Sequence, residues 1–156
     1  MFNILLFAIG YLRIKLKAIQ FKYQIFTFSK KNNFSCNLDV CMTGPLENLL
    51  VGNNTTINSL ANFRFKKGKI SIGENCLIAR NVTIITQTYN IDKEVEINLE
   101  DTIVKDVKVG NNVWVGSNTV IMPGVIIGNG SVIGSGSIVT RDIQIKRFGV
   151  ECPRKK

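Results

Sequence analysis

A repeat of apolar positions with a period of six residues runs through the C-terminal half of the chain. The first position of each repeat is valine or isoleucine, at Val109, Val115, Ile121, Ile127, Ile133 and Val139. Four residues later comes a second position that is β-branched or small, at Val113, Thr119, Val125, Ser131, Ser137 and Ile143. An α-helix returns its apolar face about every 3.6 residues, whereas strands point side chains alternately to two faces. The period of six therefore predicts short strands separated by tight corners.

The same period continues upstream, with interruptions. An apolar residue recurs every six residues at Val51, Ile57 and Phe63, and again at Ile72, Ile78 and Ile84. The second positions there are Thr55, Ala61, Lys67, Cys76, Val82 and Thr88, and Lys67 breaks the pattern. Ile103 and Val107 are predicted to form the repeat that precedes Val109.

Residues 90–102 are out of phase with the repeat. They contain five acidic residues and one lysine. An insertion that interrupts a repeat is usually a loop that leaves the coil, and such loops often carry function. We therefore predict an excursion loop at about 90–102.

The corners between the strands are predicted at asparagine and glycine, because these residues tolerate a positive φ. The asparagines at such positions are Asn53, Asn54, Asn75, Asn111, Asn112 and Asn129. Stacked coils, each burying the apolar face of its neighbour, form a parallel β-solenoid. A β-sandwich would need hairpin loops, for which a strict spacing of six leaves no room. The predicted fold class is therefore all-β, a solenoid.

The chain divides into residues 1–33, which are apolar and basic, a solenoid domain over residues 34–143, and a basic tail over residues 144–156. Phe2–Leu12 is almost entirely apolar and is followed by basic residues, which is typical of an element on a membrane surface. Apolar residues alternate from Ile19 to Ile25, which predicts a strand capping the open end of the solenoid. Capping and a peripheral membrane contact through residues 1–22 both remain open. The apolar run is too short to cross a bilayer, and no cleavable export signal is expected.

The composition excludes several classes of catalytic and metal-binding site. The chain has no histidine, which excludes Ser-His-Asp and Cys-His catalysis and histidine metal sites. Its four cysteines form no Cys-x-x-Cys pair, so we expect that the protein binds no metal. We also expect the thiols to be reduced and the protein to be cytoplasmic. If the N-terminal segment binds lipid, the location would be the inner face of the membrane. The net charge of +9 is concentrated near both ends, which suits phosphate or anionic lipid. These ends lack an aromatic or glycine reading motif, so no nucleic-acid partner is expected.

Four consecutive motifs resemble the hexapeptide-repeat O-acetyltransferases of the maltose/galactoside and polysaccharide-modifying type. Val109–Ser117 reads VGNNVWVGS, Ile121–Gly128 reads IMPGVIIG, Ile133–Ser137 reads IGSGS and Val139–Asp142 reads VTRD. The resemblance implies a left-handed β-helix of three-sided coils and a homotrimer with its sites between subunits. It also implies acetyl-CoA as donor and a sugar or glycan acceptor.

The resemblance also implies which residues bind the donor. Trp114 and Ser117 match positions along the pantetheine arm, and Ser135 matches the small residue at the thioester end of CoA. Thr140 and Arg141 match a pair near the nucleotide phosphates, and the imperfectly matching tail places Arg154 and Lys155 toward the 3′-phosphate. The basic character of this edge agrees with the negative charge of CoA.

The acceptor side departs from the family. Tyr89 stands where the family has its catalytic histidine, Asp92 matches the following aspartate, and Asn62 matches an asparagine that contacts the acceptor. A phenol ionises near pH ~10 and is a weak base at neutral pH. Two functions follow. The first is an O-acetyltransferase acting on a sugar or surface-glycan hydroxyl, with Tyr89 in place of the histidine. The alternative is a catalytically impaired trimer that keeps the CoA groove and serves as a binding or scaffold subunit.

Overall fold

The computed structural model describes residues 2–90 and 101–144. One long helix precedes a series of very short strands, with a 3₁₀ turn at Leu46–Asn48. The elements are α1 (Phe2–Lys31), β1 (Ser35–Cys36), β2 (Cys41–Thr43), β3 (Leu49–Val51), β4 (Thr56–Ile57), β5 (Asn62–Arg64), β6 (Ile70–Ile72), β7 (Leu77–Ile78), β8 (Thr83–Ile85), β9 (Gln87–Tyr89), β10 (Thr102–Val104), β11 (Val107–Val109), β12 (Trp114–Val115), β13 (Val120–Ile121), β14 (Ile126–Ile127), β15 (Val132–Ile133) and β16 (Ile138–Val139).

Three parallel sheets form the sides of a solenoid. Sheet 1 has the order β1-β4-β7-β12-β15, sheet 2 the order β2-β5-β8-β13-β16, and sheet 3 the order β3-β6-β11-β14. Each of the first four coils contributes one strand to each sheet in turn, and over the described residues the chain completes about five coils. The fifth coil closes where Ile143 bridges to Ile127 on sheet 3. The predicted parallel β-solenoid is confirmed.

The core is built from the two positions of the repeat. All six first positions from Val109 to Val139 are buried, as are the second positions except the half-buried Ile143. The polar second positions keep their hydrogen bonds, because each hydroxyl donates to the carbonyl three residues earlier. These pairs are Thr119 to Gly116, Ser131 to Gly128 and Ser137 to Gly134, each at 2.7 Å. Burial of small hydroxyl residues is therefore compatible with the apolar core.

The corner between sheets 2 and 3, called the second corner, departs from the predicted register in coils 2 and 3. Phe65 is fully buried where the period had suggested the exposed Lys67. Thr86 is fully buried, and the prediction of Thr88 as the second position of its coil is wrong. Ile103 likewise does not belong to the coil. It pairs antiparallel with Thr88, so its assignment as the repeat before Val109 is also wrong.

The excursion is longer than predicted. Strands β9 and β10 form an antiparallel ribbon in which Tyr89 pairs with Thr102. The coil is closed beneath the ribbon by the amide of Lys105, which donates to the carbonyl of Thr86 at 2.9 Å. The chain thus leaves the coil after Thr86 and returns at Lys105. Most of residues 90–102 lies outside the described residues.

Asparagine fills the corners in two different ways. Asn54, Asn75 and Asn112 have φ between 55° and 57°, as predicted. Asn111 and Asn129 instead accept backbone hydrogen bonds from the neighbouring coil through Oδ1, at 2.9 and 2.8 Å. The residue before Asn111 must then be small, because a Cβ at Gly110 would lie 2.3 Å from Asn129 Oδ1 of the next coil. The sequence interpretation missed a second column of positive φ, between sheets 1 and 2, at Leu60, Asn81, Asn118 and Gly136.

The N-terminal segment forms α1, so the predicted capping strand is wrong. Ile25 is buried in the solenoid core, and the half-buried Phe21 and Phe28 pack against the same core. The ring of Phe28 meets that of Phe34 edge to face, with centroids 5.8 Å apart. These residues are spaced by four and three, so they share one side of the helix. The C-terminal turns of α1 thus cover the open end of the first coil. In the described part of the chain, no helix has the length and apolar character needed to span a membrane.

Candidate active site

The indole of Trp114 projects from the outer face of sheet 1. Trp114 opens β12 and lies between Leu77 of β7 and Val132 of β15. Its neighbour Val115 points into the core, so alternation along the strand turns Trp114 outward. The side chain is 51% exposed. A large flat apolar surface is therefore available beside the corner that follows.

Ser117 and Ser135 occupy that corner, between sheets 1 and 2, which we call the first corner. They belong to successive coils, and the amide of Gly136 donates to the carbonyl of Ser117 at 2.8 Å. The coils approach closely here, because a Cβ at Gly116 would lie 2.5 Å from the backbone nitrogen of Ser135. Ser117 is half-buried and Ser135 is exposed. The structure therefore brings Trp114, Ser117 and Ser135 to one edge of coils 4 and 5.

Thr140 and Arg141 follow β16 and lie at the second corner of coil 5. Both side chains are exposed. The neighbouring carboxylate of Asp142 accepts a hydrogen bond from the amide of Ile126 at 2.8 Å, which ties this corner to coil 4. One strand of sheet 2 therefore separates Ser135 from Arg141, so residues predicted to bind the donor occupy both ends of the same strand. Arg154 and Lys155 lie outside the described residues.

Asn62 lies on the outer face of sheet 2, three strands from β16. It opens β5 and is flanked by Cys41 of β2 and Thr83 of β8. Its side-chain oxygen is buried and accepts no hydrogen bond from the described residues. A buried acceptor without a partner costs about 1–3 kcal/mol, so such groups are rare in folded proteins.

Tyr89 lies on the ribbon that leaves the second corner of coil 3. It ends β9, and its side chain is 48% exposed. The next residue, Asn90, donates its amide to the carbonyl of Asp101 across the ribbon at 3.0 Å. Tyr89 is thus held on an ordered two-stranded stem. Asp92 lies outside the described residues.

The sequence interpretation missed two residues close to Asn62. Arg64 is two positions further along β5 and is exposed, and Thr83 lies beside Asn62 on β8. The alternation of side chains along a strand, which places i and i+2 on one face, is the signal that would have identified Arg64. Thr83 could not be identified in this way, because its position beside Asn62 depends on the pairing of two coils.

Two cysteine thiols, those of Cys36 and Cys76, have raised pKa values. Burial, and to a smaller degree the carboxylate of Asp39, raises the pKa of Cys36 to about 11. Burial also raises the pKa of Cys76, which lies in the core. Both thiols are thus held in the protonated, unreactive form. Residues 2–90 and 101–144 contain no group of three or more cysteine, aspartate or glutamate side chains able to hold a metal ion.

Comparison with known proteins identifies the fold and the repeat. Residues 106–141 match the family model described as bacterial transferase hexapeptide (six repeats). No curated protein sequence matches the chain. A hexapeptide-repeat containing acetyltransferase from Vibrio cholerae O1 biovar eltor, complexed with acetyl coenzyme A, is 24% identical with a TM-score of 0.64. The match covers 81% of this chain and 76% of that one, and it shows a shared fold.

Two further solved structures are more similar in sequence but longer. Galactoside acetyltransferase in complex with coenzyme A is 33% identical, with a TM-score of 0.56, over 72% of this chain and 57% of that chain. The polySia specific acetyltransferase NeuO is 36% identical, with a TM-score of 0.56, over 69% of this chain and 46% of that chain. The motifs, the solenoid and these likenesses agree. Residues 106–141 therefore carry the hexapeptide repeat of bacterial transferases, and the chain has the left-handed β-helix fold of hexapeptide-repeat acetyltransferases.

Proposed function

We propose that this protein is an acetyl-CoA-dependent O-acetyltransferase that modifies a hydroxyl of a sugar or surface glycan. The observation that carries the proposal is the arrangement of the residues that the resemblance assigns to the donor. Trp114, Ser117 and Ser135 meet at the first corner of coils 4 and 5, and Thr140 and Arg141 follow at the far end of β16. An elongated donor needs an apolar surface along its thiol arm, small residues where the arm passes close to the backbone, and a cation at its phosphates.

The residues present fit such a donor. The exposed indole of Trp114 offers an apolar surface to the pantetheine arm. Apart from its two chain neighbours, no described residue has a heavy atom within 4 Å of the position a Cβ would take at Gly136. The arm could therefore pass close to the backbone at Ser135. The exposed Arg141 would meet phosphate oxygens, because guanidinium groups bind them with paired hydrogen bonds. Arg154 and Lys155 are proposed to contact the 3′-phosphate.

Asn62 would orient the acceptor. Its oxygen accepts no hydrogen bond from the described residues, and a small rotation of the half-buried side chain would bring it to a hydroxyl of the sugar. In the transfer, the acceptor oxygen forms an ester with the acetyl carbon, the carbon–sulfur bond breaks, and the hydroxyl proton must leave. Tyr89 and Asp92 are proposed to receive or direct this proton, with the CoA thiolate taking up a proton from the site.

A homotrimer would complete the site. The outer face of sheet 1 has a continuous apolar column formed by Leu77, Trp114 and Val132 on three neighbouring strands. Leu77 and Trp114 are exposed in the single chain. Such a column is suited to face another subunit, so we propose that the donor groove lies between subunits.

The second candidate function is the catalytically impaired trimer that keeps the CoA groove and serves as a binding or scaffold subunit. The observation that favours it is a tyrosine at the position where this family has a histidine. Both candidates require donor binding, and only the first requires transfer.

Isothermal titration calorimetry with CoA tests both candidates together. We expect binding in the micromolar range for the parent protein. Arg141→Glu should weaken binding about tenfold, and by more at low salt, because its partner is a phosphate. Lys22→Glu on α1 makes the same change of charge far from the site and should leave binding unaltered. No heat of binding at millimolar CoA would contradict both functions.

Release of free thiol from acetyl-CoA, measured with a panel of mono- and oligosaccharides, then separates the two. Sugar-dependent release supports the acetyltransferase. CoA binding without release on any sugar of the panel supports the scaffold.

A further inference from the structure

One face of α1 carries a row of large apolar side chains that nothing in the described chain covers. The row consists of Leu12, Leu16, Ile19, Tyr23 and Phe26, and we call it the α1 stripe. Its members follow at intervals of four, three, four and three residues, so they lie on one side of the helix. Each is between 48% and 70% exposed. In sequence, the same spacing continues toward the N-terminus through Phe2, Leu5 and Ile9.

The α1 stripe faces away from the solenoid. Contacts with the core come from the other side of the helix, through Phe21, Ile25 and Phe28. The helix therefore has two apolar sides, of which only one is needed to cover the first coil. Contiguous exposed apolar surface of this kind marks a binding site for another molecule.

Charge on α1 decides between the candidate occupants. The helix contains six basic residues and no acidic one, and the basic residues are Arg13, Lys15, Lys17, Lys22, Lys30 and Lys31. One of these charges borders the stripe, since the Lys30 ammonium lies 5.8 Å from the ring centre of Phe26. Helices that associate with copies of themselves pair opposite charges beside the apolar seam. Copies of α1 side by side would instead bring together six positive charges each.

An anionic bilayer surface satisfies both properties of this helix. We propose that the α1 stripe binds the surface of an anionic lipid bilayer, with α1 lying in the plane of the interface. The apolar side chains enter the boundary between headgroups and acyl chains, and the lysines contact the anionic headgroups. This inference is independent of the proposed acetyltransferase activity. The sequence alone predicted a membrane contact through residues 1–22. The α1 stripe restricts the proposed contact to one face of the helix and extends it to Phe26.

Co-sedimentation of the full chain with lipid vesicles tests the inference. Vesicles of phosphatidylcholine containing about 30% phosphatidylglycerol should bind the protein at least about tenfold better than pure phosphatidylcholine. Raising NaCl from about 0.1 M to about 0.5 M should weaken the binding, because the screening length shortens. Protein that stays in the supernatant with the anionic vesicles, or binds both kinds equally, would overturn the proposal.

Two variants locate the binding surface. Leu16→Glu/Ile19→Glu should lower the vesicle-bound fraction at least about tenfold, since charge cannot enter the acyl boundary cheaply. Leu38→Glu/Leu50→Glu places the same charges on exposed leucines of the solenoid and should bind like the parent. Tyr23→Ser/Phe26→Ser removes apolar area without adding charge and should reproduce the loss if the stripe is the contact.

Circular dichroism, thermal unfolding and light scattering accompany these assays. We expect each variant to keep its helix content, its unfolding midpoint and its oligomeric mass. A stripe variant that changes oligomeric mass while its vesicle binding is unaffected would identify a second copy of the chain as the occupant and refute the lipid assignment.

Discussion

Replacing Asn62 with valine should make the protein more stable and less active. The side-chain oxygen of Asn62 is buried and accepts no hydrogen bond within the described structure. In Asn62→Val that oxygen is absent, and a β-branched side chain stands on a strand flanked by Cys41 and Thr83. Such side chains favour strands. Stability and activity should therefore change in opposite directions.

The expected size follows from the unsatisfied oxygen. A buried acceptor without a partner costs about 1–3 kcal/mol, and some of this is offset by the loss of the amide's other contacts. We expect Asn62→Val to raise the free energy of unfolding by about 1–2 kcal/mol. For a chain of this length that corresponds to a rise of about 2–8 °C in Tm. Loss of one hydrogen bond to the acceptor should lower acceptor-dependent transfer about tenfold.

Thermal unfolding and acetyl transfer are measured on the same preparations at equal protein concentration, because oligomers unfold in a concentration-dependent way. Asn58→Val is the matched control. The Asn58 amide already donates to the carbonyl of Ile78 at 3.3 Å, so its loss should lower stability by about 0.5–1.5 kcal/mol. A lower Tm for Asn62→Val, or a gain in Tm with unchanged transfer, would refute the assignment of Asn62 as an unsatisfied acceptor held for substrate.

Three further outcomes are expected. If the parent protein lacks a working base, Tyr89→His should raise the rate of acetyl transfer by some fraction of ~10²–10⁴. If the parent uses the phenol, both Tyr89→His and Tyr89→Phe should lower the rate. Unchanged rates in both variants would show that Tyr89 is not at the chemical centre. Ile121→Asp should abolish folded protein, because desolvating the charge costs several kcal/mol. Ile138→Asp, on the exposed face of the neighbouring strand β16, should still fold. Equal tolerance of the two changes in a solubility and light-scattering assay would contradict the register. Iodoacetamide at pH about 8, followed by mass spectrometry, should label the exposed Cys41 before Cys36, whose raised pKa keeps its thiol protonated; simultaneous labelling would count against this difference in environment.

The register of the solenoid between Val107 and Val139 could be predicted from the sequence alone. Each coil there repeats the same six-residue rule, so every buried position is defined by its spacing from the last. The motif order also indicated the family and the residues of the first corner. Ser117 and Ser135 are eighteen residues apart, and a coil of eighteen residues brings them together without information from elsewhere in the chain.

The helix at the N-terminus was not predictable in this way. Residues 19–25 satisfy a period of two, whereas Phe21, Ile25 and Phe28 satisfy the spacing of a helix. Both patterns are present because this segment is apolar on more than one side. The first coil decides between them, since it accepts Ile25 into its core and leaves Tyr23 exposed.

The second corner and the acceptor side were likewise decided by tertiary structure. Phe65 and Thr86 fill the core where the period of six fails, because insertions widen the first three coils at the second corner. Asn62 lies between Cys41 and Thr83 of two other coils, and its buried oxygen accepts no hydrogen bond from the described residues. No local pattern specifies this environment. Repeat spacing is a property of adjacent residues and can be counted along the chain. Hydrogen-bond partners and exposed faces depend on residues far apart in sequence, and only the folded chain brings these together.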